Sequence, residues 1–259
     1  MRKNLIVIVT LIAVTLFLSG CTQINEPITS DSEGFWNQFF VYPLSFLITY
    51  IAETIFNEGY GLAIIIVTLL FRTLILPLNI KQLKSSQSMQ MIQPELMKLR
   101  EKYSSKDATT QQKLQQETMA LFQKHNVNPL AGCFPILVQM PIFIALYHAI
   151  MRTEEIENYK FLWFELGSSD ILLAFITFGT AFLQQKVMMS GMPQSANNPQ
   201  MQMMLYLMPI MIGVFALILP SALALYWVVG NIFMIVQTFL VRRPMMKQFE
   251  NQQNGGAKK

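Results

Sequence analysis

The sequence predicts an all-α integral membrane protein with five transmembrane helices around a hydrophilic groove that is open to the cytoplasm. A cytoplasmic helical hairpin and an N-terminal interfacial helix complete the predicted fold. The 259 residues are 53% hydrophobic and only 13% charged, whereas soluble domains carry about 25% charged residues. Five segments are long and apolar enough to cross a bilayer, which takes about 20 residues. The basic residues collect in alternate loops, and this fixes the predicted orientation.

Residues 1–20 have the pattern of a lipoprotein-type signal peptide. Arg2 and Lys3 precede a short apolar stretch, and the sequence Leu-Ser-Gly leads directly to Cys21. This order is typical of a secretory signal with a cleavage site. The cysteine resembles that of the bacterial lipobox, which implies that Cys21 is lipidated and becomes the mature N-terminus outside the cytoplasm. The alternative is an uncleaved first helix with an incidental cysteine.

The next two segments are predicted to stay on the outer side of the membrane. Residues 21–34 are polar and are interpreted as an extracellular tether. Residues 35–57 are rich in aromatic side chains and contain Pro43 and Glu53. Because Trp and Tyr are favoured at the membrane–water interface, this segment is predicted to form an interfacial amphipathic helix. A transmembrane span is the alternative.

The loops between the predicted spans give the orientation. The spans are 59–79, 134–151, 171–188, 203–219 and 221–241, and the last two form a hairpin that turns at Pro220 and Ser221. Fourteen Lys and Arg residues lie in or beside the predicted cytoplasmic segments, which are the hairpin 80–128, the loop 189–202 and the basic tail 242–259. Only Arg152 and Lys160 lie in the predicted extracellular loop 152–170. This distribution satisfies the positive-inside rule.

The cytoplasmic segment 80–128 carries two helical stripes of apolar residues. The first consists of Met89, Ile92, Leu96, Leu99 and Tyr103, and the second of Leu114, Thr118, Leu121, Phe122 and His125. The first set is spaced by three and four residues throughout, which places it on one face of a helix, and the second set makes another such stripe. The polar sequence SSKD at 104–107 separates them, so we predict an antiparallel helical hairpin. His125 is interpreted as a structural residue rather than a metal ligand.

Polar side chains within the spans lie at the middle or in the cytoplasmic half. Arg72 and Thr68 share one face of the first span, since they are four residues apart. Gln139 lies in the second span, Gln184 and Gln185 in the third, and Asn231 and Gln237 in the fifth. A charge facing lipid is costly, at about 2.5–3.5 kcal/mol for Arg on insertion scales. We therefore expect these groups to converge on a hydrated cavity that is open to the cytoplasm and closed toward the outside.

Two other interpretations of these polar residues remain open. Gln and Asn often connect transmembrane helices by hydrogen bonds, and Arg72 could extend its side chain to the inner headgroups. No span contains an acidic residue suited to neutralise Arg72, since the nearest carboxylates are in loops. The common depth of the polar residues favours the cavity, with water as the resting partner of Arg72.

Several classes of function have no support in the sequence. Cys21 and Cys133 do not suggest a disulfide framework, and the two histidines lack a zinc-binding pattern. There is no glycine-rich phosphate loop, no Ser/His/Asp set and no interleaving of basic and aromatic residues suited to nucleic acid. We expect no enzymatic activity, no cofactor, no metal and no direct contact with nucleic acid.

Three segments resemble the signatures of the YidC/Oxa/Alb membrane protein insertases. They are NPLAGCFPILVQMPIFIALY at 128–147, LPSALALYWVVGN at 219–231 and VTLLFRTLILPL at 67–78. The resemblance extends from about residue 35 to residue 243. The lipobox and the five spans are similar to those of the Gram-positive branch, such as the Bacillus SpoIIIJ-type proteins.

This resemblance implies a protein of the bacterial plasma membrane that inserts membrane proteins and helps them fold, alone or with the Sec translocon. The groove arginine of the family matches Arg72. The polar groove positions on the family's later spans match Gln139, Gln184, Trp227 and Asn231, with Gln185 as an alternative to Gln184. The implied partners are nascent membrane proteins, the Sec translocon, the ribosome or signal recognition particle machinery, and membrane lipid. A secondary transporter of an anionic solute is the alternative function. It would predict an internal repeat with broken helices, which the sequence lacks.

Overall fold

The computed structural model describes a chain that is almost entirely helical. The described residues are 26–105, 107–125, 127–128, 134–190, 199–242 and 244. The predicted signal peptide 1–20, Cys21 and most of the loop 189–202 and of the tail 242–259 lie outside them. Of the predicted tether 21–34, only residues 26–34 are described.

The helices follow one another with short connections. They are α1 (Tyr42–Phe56), which a π-helical turn (Asn37–Val41) precedes, α2 (Tyr60–Met91), α3 (Gln93–Lys102), α4 (Ala108–Lys124), α5 (Phe134–Met151), α6 (Glu154–Glu157), α7 (Ile171–Met189), α8 (Pro199–Ile218) and α9 (Ser221–Gln237), which a second π-helical turn (Thr238–Arg242) follows. Strands β1 (Lys160–Phe161) and β2 (Phe164–Glu165) pair antiparallel, with Lys160 opposite Glu165 and Phe161 opposite Phe164.

Four described helical segments are long and apolar enough to cross a membrane. They are Asn37–Phe56, Tyr60–Gln82, Ile171–Met189 and Ser221–Val241. In the other two predicted spans, 134–151 and 203–219, the apolar segments Val138–Met151 of α5 and Leu205–Ile218 of α8 are shorter than the 18 residues that this criterion requires. The prediction of a multi-pass helical membrane protein is confirmed. Since Asn37–Phe56 also meets the criterion, the span alternative for residues 35–57 stays open.

Helix α1 continues directly from the π-helical turn Asn37–Val41 and ends as its sequence indicates. Pro43 lies just after that turn, and proline removes a backbone donor from a helix at such a position. Asn57 ends the helix with φ at 48°, because asparagine tolerates the left-handed conformation better than most residues. Leu44, Ile48 and Ile51 are buried, and their spacing makes them one face of the helix.

Helix α2 extends beyond the predicted first span. We predict the boundary between that span and the cytoplasmic hairpin at residues 79 and 80, and the helix continues through it without a break to Met91. Pro77 is inside it, and the residues beyond Pro77 include no glycine that would favour an end. The break comes at Ile92, just before Pro94 in the first turn of α3. The predicted stripe from Met89 to Tyr103 is therefore divided between two helices.

The chain divides into two compact units, which are described separately. The first comprises the described residues of Met1–Arg72 and Gln139–Ile235. Its core is built from the inner faces of α1, the first part of α2, and α5, α7 and α9, with Ile48, Ile64, Ile150 and Leu223 almost fully buried. Helix α8 packs against α7, and a Cβ added at Gly213 of α8 would lie 3.1 Å from the Phe178 Cβ of α7.

The second unit comprises the described residues of Thr73–Val138 and Val236–Lys259. Helices α3 and α4 contact each other in it. Asp107 caps α4 by accepting a hydrogen bond of 2.8 Å from the Thr110 amide. His125, just after α4, lies 3.3 Å from Glu95 near the start of α3, so the two helices run antiparallel.

The segment between α5 and α7 closes one end of the first unit. The Phe161 ring of β1 lies directly against Gly61 at the start of α2, so close that no Cβ would fit at Gly61. The first amides of α9 donate to this segment: Ser221 to the Ser168 carbonyl at 2.8 Å and Ala222 to the Leu166 carbonyl at 2.9 Å. These bonds satisfy donors that have no partner within the helix.

Arg152 anchors the N-terminal part of the first unit. It is 4% exposed, and its guanidinium donates to the Glu26 carbonyl and to Asn37 Oδ1, both at 2.7 Å. Burial lowers the pKa of Arg152, and the opposing effect of the Glu26 charge is smaller. The neighbouring Thr153 hydroxyl is 2.6 Å from that of Ser45 in α1. Polar contacts thus connect the tether, the π-helical turn, α1 and the end of α5.

Candidate substrate-binding site

Arg72 is partly exposed on α2. Its Cζ atom lies 5.7 Å from the centre of the Tyr226 ring of α9, a distance at which a cation is attracted to the ring face. The Nε atom is buried and has no hydrogen-bond partner in the described part of the chain. No carboxylate of a described residue forms an ion pair with this guanidinium. The charge is therefore held by an aromatic face rather than by an acid.

Tyr226 connects Arg72 to the predicted residue Gln139. The Gln139 amide of α5 donates a hydrogen bond of 2.8 Å to the Tyr226 hydroxyl. Tyr226 is only 4% exposed, so its hydroxyl needs such a partner. Arg72, Gln139 and Tyr226 come from α2, α5 and α9, and they meet at one level of the first unit.

Gly230, one turn after Tyr226, leaves room for the guanidinium. A Cβ added at Gly230 would lie 2.5 Å from Nη2 of Arg72 and 3.2 Å from its Cζ and Nε. The guanidinium therefore packs directly on the backbone of α9. In a helix interior glycine costs roughly 0.5–1 kcal/mol relative to alanine, and this close approach is a physical reason for its presence.

Thr68 is on the Arg72 face of α2 but lies deeper. It is 2% exposed, and its hydroxyl donates to the Ile64 carbonyl of its own helix at 2.7 Å. A cavity of about 10 Å³ adjoins it, lined mainly by apolar side chains. This cavity is too small and too apolar to be the predicted hydrated groove. Thr68 is therefore part of the packed interior one turn before Arg72 rather than of an open surface.

Asn231 connects α9 to α7. Its amide donates to the Thr180 hydroxyl at 3.3 Å. Thr180 in turn donates to the Thr177 carbonyl at 3.0 Å, and the Thr177 hydroxyl lies 2.8 Å from the Leu173 carbonyl and 3.4 Å from that of Ala224. The geometry of Asn231 therefore agrees with the alternative interpretation, in which this residue connects two helices by a hydrogen bond.

The two glutamines of α7 differ in position. Gln184 is four residues after Thr180, so it lies one turn further on the face that meets Asn231. Gln185 is about 100° away around the helix, and its amide is 3.8 Å from the Met189 sulfur. Both are partly buried. Helical geometry favours Gln184 as the residue beside Asn231.

Trp227 is partly buried and packs on an aromatic neighbour. Its ring stacks on Phe143 of α5 with centroids 5.1 Å apart and planes inclined by 13°. Because it follows Tyr226 directly, it is turned away from Arg72 around the helix axis. Trp227 therefore forms part of the α5–α9 contact rather than the surface that holds the guanidinium.

The structure brings Arg72 and Gln139 together through a residue that the sequence analysis did not select. Tyr226 and Gly230 belong to the segment LPSALALYWVVGN, but only Trp227 and Asn231 were chosen from it. One feature of the sequence could have identified them. Positions 226 and 230 lie on one face of an apolar helix, and they place a tyrosine hydroxyl and a glycine next to each other on that face.

The predicted lipidation site Cys21 lies outside the described residues.

The site presents a positive charge with few competing partners. Arginine cannot be deprotonated in proteins, so the guanidinium is a permanent attraction for a carboxylate. In the described residues, no group of three or more His, Cys, Asp or Glu side chains could hold a metal ion. The arrangement suits binding of an acidic side chain.

A family model described as "60Kd inner membrane protein" matches residues 50–248. The chain belongs to this family. A protein of Oceanobacillus iheyensis named "Membrane protein insertase YidC" is 65% identical over 250 residues, which cover 95% of this chain and 99% of that protein. "Membrane protein insertase MisCA" of Bacillus subtilis is 58% identical over 261 residues, covering 100% of this chain and 99% of that protein.

The fold is shared with a solved structure. The structure described as "Active YidC insertase crystal structure with the first transmembrane domain resolved" superposes with a TM-score of 0.62 at 24% identity. The match covers 80% of this chain and 47% of that one. The family resemblance and its Gram-positive branch, predicted from three sequence segments, are confirmed by these relatives. The protein is a multi-pass protein of the bacterial plasma membrane.

Proposed function

We propose that this protein is a membrane protein insertase that inserts nascent membrane proteins and helps them fold, alone or with the Sec translocon. Relatives that carry the name membrane protein insertase align with the chain over nearly their full length. The observation that carries the proposal is Arg72, a partly exposed cation that an aromatic ring holds and no described carboxylate neutralises.

The proposed topology has five spans with the mature N-terminus outside. Cys21 carries the lipid anchor, and the tail after the fifth span is cytoplasmic. Fourteen basic residues in or beside the cytoplasmic segments against two outside support this orientation. The segment 35–57 lies at the outer interface, and its exposed Phe35, Phe39, Phe46 and Tyr50 are suited to that position.

The cytoplasmic hairpin makes first contact with the substrate. Helices α3 and α4 carry charged and polar residues on most of their surface, and buried apolar side chains include Ile92, just before α3, and Leu121 in α4. The partners on this side are the nascent chain, the Sec translocon and the ribosome or signal recognition particle machinery. The tail is short and basic, and it contributes a positive surface to these encounters.

A hydrated groove that is open to the cytoplasm then receives the polar tail of the substrate. Arg72, Thr68, Gln139, Gln184, Trp227 and Asn231 form or support its wall. A carboxylate about 4 Å from the guanidinium gains about 1 kcal/mol in water and about 4 kcal/mol at an effective dielectric constant of 20. The attraction between Arg72 and an acidic tail is therefore stronger in a partly desolvated groove than it would be in bulk water.

The substrate supplies the free energy of insertion. Its apolar segment moves from the groove into lipid, and burial of apolar surface yields about 25 cal/mol per Å². The groove shortens the apolar distance that the tail has to cross, which lowers the barrier. The process needs no cofactor and no nucleotide at the protein itself.

Reconstitution tests this proposal directly. Proteoliposomes containing the wild-type protein are given a single-span substrate with an acidic N-terminal tail, and protease protection of the tail is measured over time. We expect Arg72→Ala to slow insertion about 10-fold and Arg72→Lys to retain most of the rate, because one charge–charge contact is worth about 1–4 kcal/mol.

Lys160→Ala is the matched control, since it removes an exposed cation outside the proposed groove. It should insert at the wild-type rate. Failure of the wild type to insert any substrate contradicts the insertase proposal, and uptake of an anionic solute instead would indicate a transporter. If Arg72→Ala inserts the substrate as fast as the wild type while Arg72→Lys does not, the positive charge of Arg72 is not the property that speeds insertion.

A further inference from the structure

The guanidinium of Arg72 rests on a surface formed by two residues of α9. Tyr226 presents its ring at 5.7 Å from Cζ, and Gly230 presents bare backbone where a Cβ would come within 2.5 Å of Nη2. We call these two residues the Arg72 seat. They are one turn apart, so both face the same side of the helix.

Tyr226 is itself fixed in place. It is 4% exposed, and its hydroxyl accepts the hydrogen bond of 2.8 Å from Gln139 on α5. A ring that is buried and hydrogen-bonded at its far end has little freedom to turn. The seat is therefore a rigid surface, while the arginine above it has a long and flexible side chain.

The guanidinium has no other described partner that would hold it. Its Nε atom is buried without a hydrogen-bond acceptor, and no described carboxylate pairs with it. The position of the guanidinium therefore depends on two features of α9. One is the Tyr226 ring on which it lies, and the other is the absence of a side chain at Gly230. The three atoms nearest to a Cβ at position 230 all belong to the Arg72 guanidinium, so a side chain there would displace the charge.

We propose that Tyr226 and Gly230 are positioning residues that set where Arg72 presents its charge, and that they thereby determine how strongly the protein prefers substrates with acidic tails. This inference rests on the proposed function, in which Arg72 attracts a carboxylate of the substrate. Neither residue needs to touch the substrate.

Gly230→Ala isolates the positioning effect. The nearest atoms to the new Cβ are at the end of a flexible side chain, so the guanidinium moves and the helix backbone stays. Alanine is also the better helix former. We therefore expect a protein that folds as well as the wild type and differs in the location of one charge.

Gly179→Ala is the matched control. Gly179 is also a glycine within an apolar helix, α7, but a Cβ added there meets nothing within 4 Å. The two variants carry the same chemical change, one in open space and one against the guanidinium. A general effect of replacing a helical glycine would appear in both.

The experiment measures a selectivity ratio in proteoliposomes. Two single-span substrates are compared that differ only in their tails, one with Asp and Glu and the other with Asn and Gln at the same positions. For Gly230→Ala we expect the ratio of the two insertion rates to fall about fivefold, within the roughly 2- to 30-fold range that the strength of a cation–π contact allows. Gly179→Ala should keep the wild-type ratio.

Tyr226 provides the second test. Tyr226→Leu removes the ring and should lower the ratio by a similar factor, whereas Tyr226→Phe keeps the ring and should lower it less. If Gly230→Ala is poorly folded by thermal unfolding in detergent, this pair decides the question. Wild-type selectivity in both Gly230→Ala and Tyr226→Leu overturns the inference.

The outcomes separate this inference from the function on which it rests. A wild-type ratio near one contradicts the role of Arg72 itself. A wild-type ratio well above one that falls in Arg72→Ala but not in the seat variants supports the groove charge and overturns the seat.

Discussion

Two arginines of the first unit show opposite ways to hold a charge away from bulk water. Arg152 is 4% exposed and donates to two oxygen atoms at 2.7 Å. Arg72 is partly exposed and rests on a tyrosine ring, with its Nε atom unpaired among the described residues. The Arg152 guanidinium donates two hydrogen bonds to the protein, while no hydrogen bond from the Arg72 guanidinium is described.

The difference indicates different roles. Arg152 is almost fully buried, and two of its donors are held by the protein, so it is not accessible to a ligand and contributes to stability. A cation on an aromatic face gains less energy but remains available, which is the state that substrate binding requires. The same residue type therefore acts as a structural link at one position and as a binding group at the other.

Replacing Arg152 should have the largest effect on stability. Arg152→Met keeps much of the volume but leaves the Glu26 carbonyl and Asn37 Oδ1 without their donor. We expect a loss of about 3 kcal/mol, since a hydrogen bond to a charged group is worth about 1.5–3 kcal/mol. Thermal unfolding in detergent micelles measures it, and an unchanged midpoint would show that Arg152 is not a structural link.

Removing one partner of Arg152 should cost less. Asn37→Ala deletes the side-chain acceptor and leaves the Glu26 carbonyl in place. We expect a loss of about 2 kcal/mol, because one of two charge-assisted bonds is lost. In a double-mutant cycle with Arg152→Met the two effects should not add, and strict additivity would contradict a direct interaction.

The same change at Arg72 should hardly affect stability. Arg72→Met removes a cation–π contact worth about 0.5–1 kcal/mol near a surface and relieves an unpaired polar atom. We expect a midpoint close to that of the wild type, together with the loss of acidic-tail insertion described for Arg72→Ala. A loss of stability as large as that of Arg152→Met would make Arg72 a structural residue too.

Asp107 extends the comparison to a charge that is hydrogen-bonded but exposed. Hydrogen bonds from Ser105, Thr109 and Thr110 lower the pKa of Asp107 in the folded state. The stabilisation is therefore fully present above the unfolded carboxyl pKa of about 3.9, and it is lost as the pH falls through the folded value. This is the smallest of the expected effects.

Hydrogen exchange at the Thr110 amide measures the Asp107 contribution. After correction for the intrinsic rate, protection should decrease as the pH is lowered from about 5 toward 2. In Asp107→Asn the protection should be lower at pH 5 and nearly independent of pH. Equal profiles for the two proteins would show that another group caps α4.

The sequence indicates the depth of the polar residues but not the face from which they are contacted. Arg72 and Gln139 were chosen because of their positions along the spans, and the structure connects them through Tyr226. Which face of α9 meets Arg72 depends on the rotation of that helix, which is set by packing across α2, α5 and α7. A single sequence contains no direct record of that rotation.

Helix boundaries show a similar limit. The apolar content of α2 indicates where a span could lie, but its helix continues to Met91 because the residues beyond Pro77 are compatible with helix. Hydropathy reports the change of solvent, whereas the end of a helix depends on local breakers such as Pro94. The position of Phe161 on Gly61 was also not predicted, since two-residue strands leave little periodicity to detect.

The closed end of α9 has a consequence for ion permeability. Its first amides are used by the Leu166 and Ser168 carbonyls, and residues 220–226 are all buried. An ion that crosses a membrane needs a continuous series of polar groups or water to replace its hydration shell. The first amides of α9 are instead occupied and its first turns are packed, so this end of the helix offers an ion little that could replace its hydration shell.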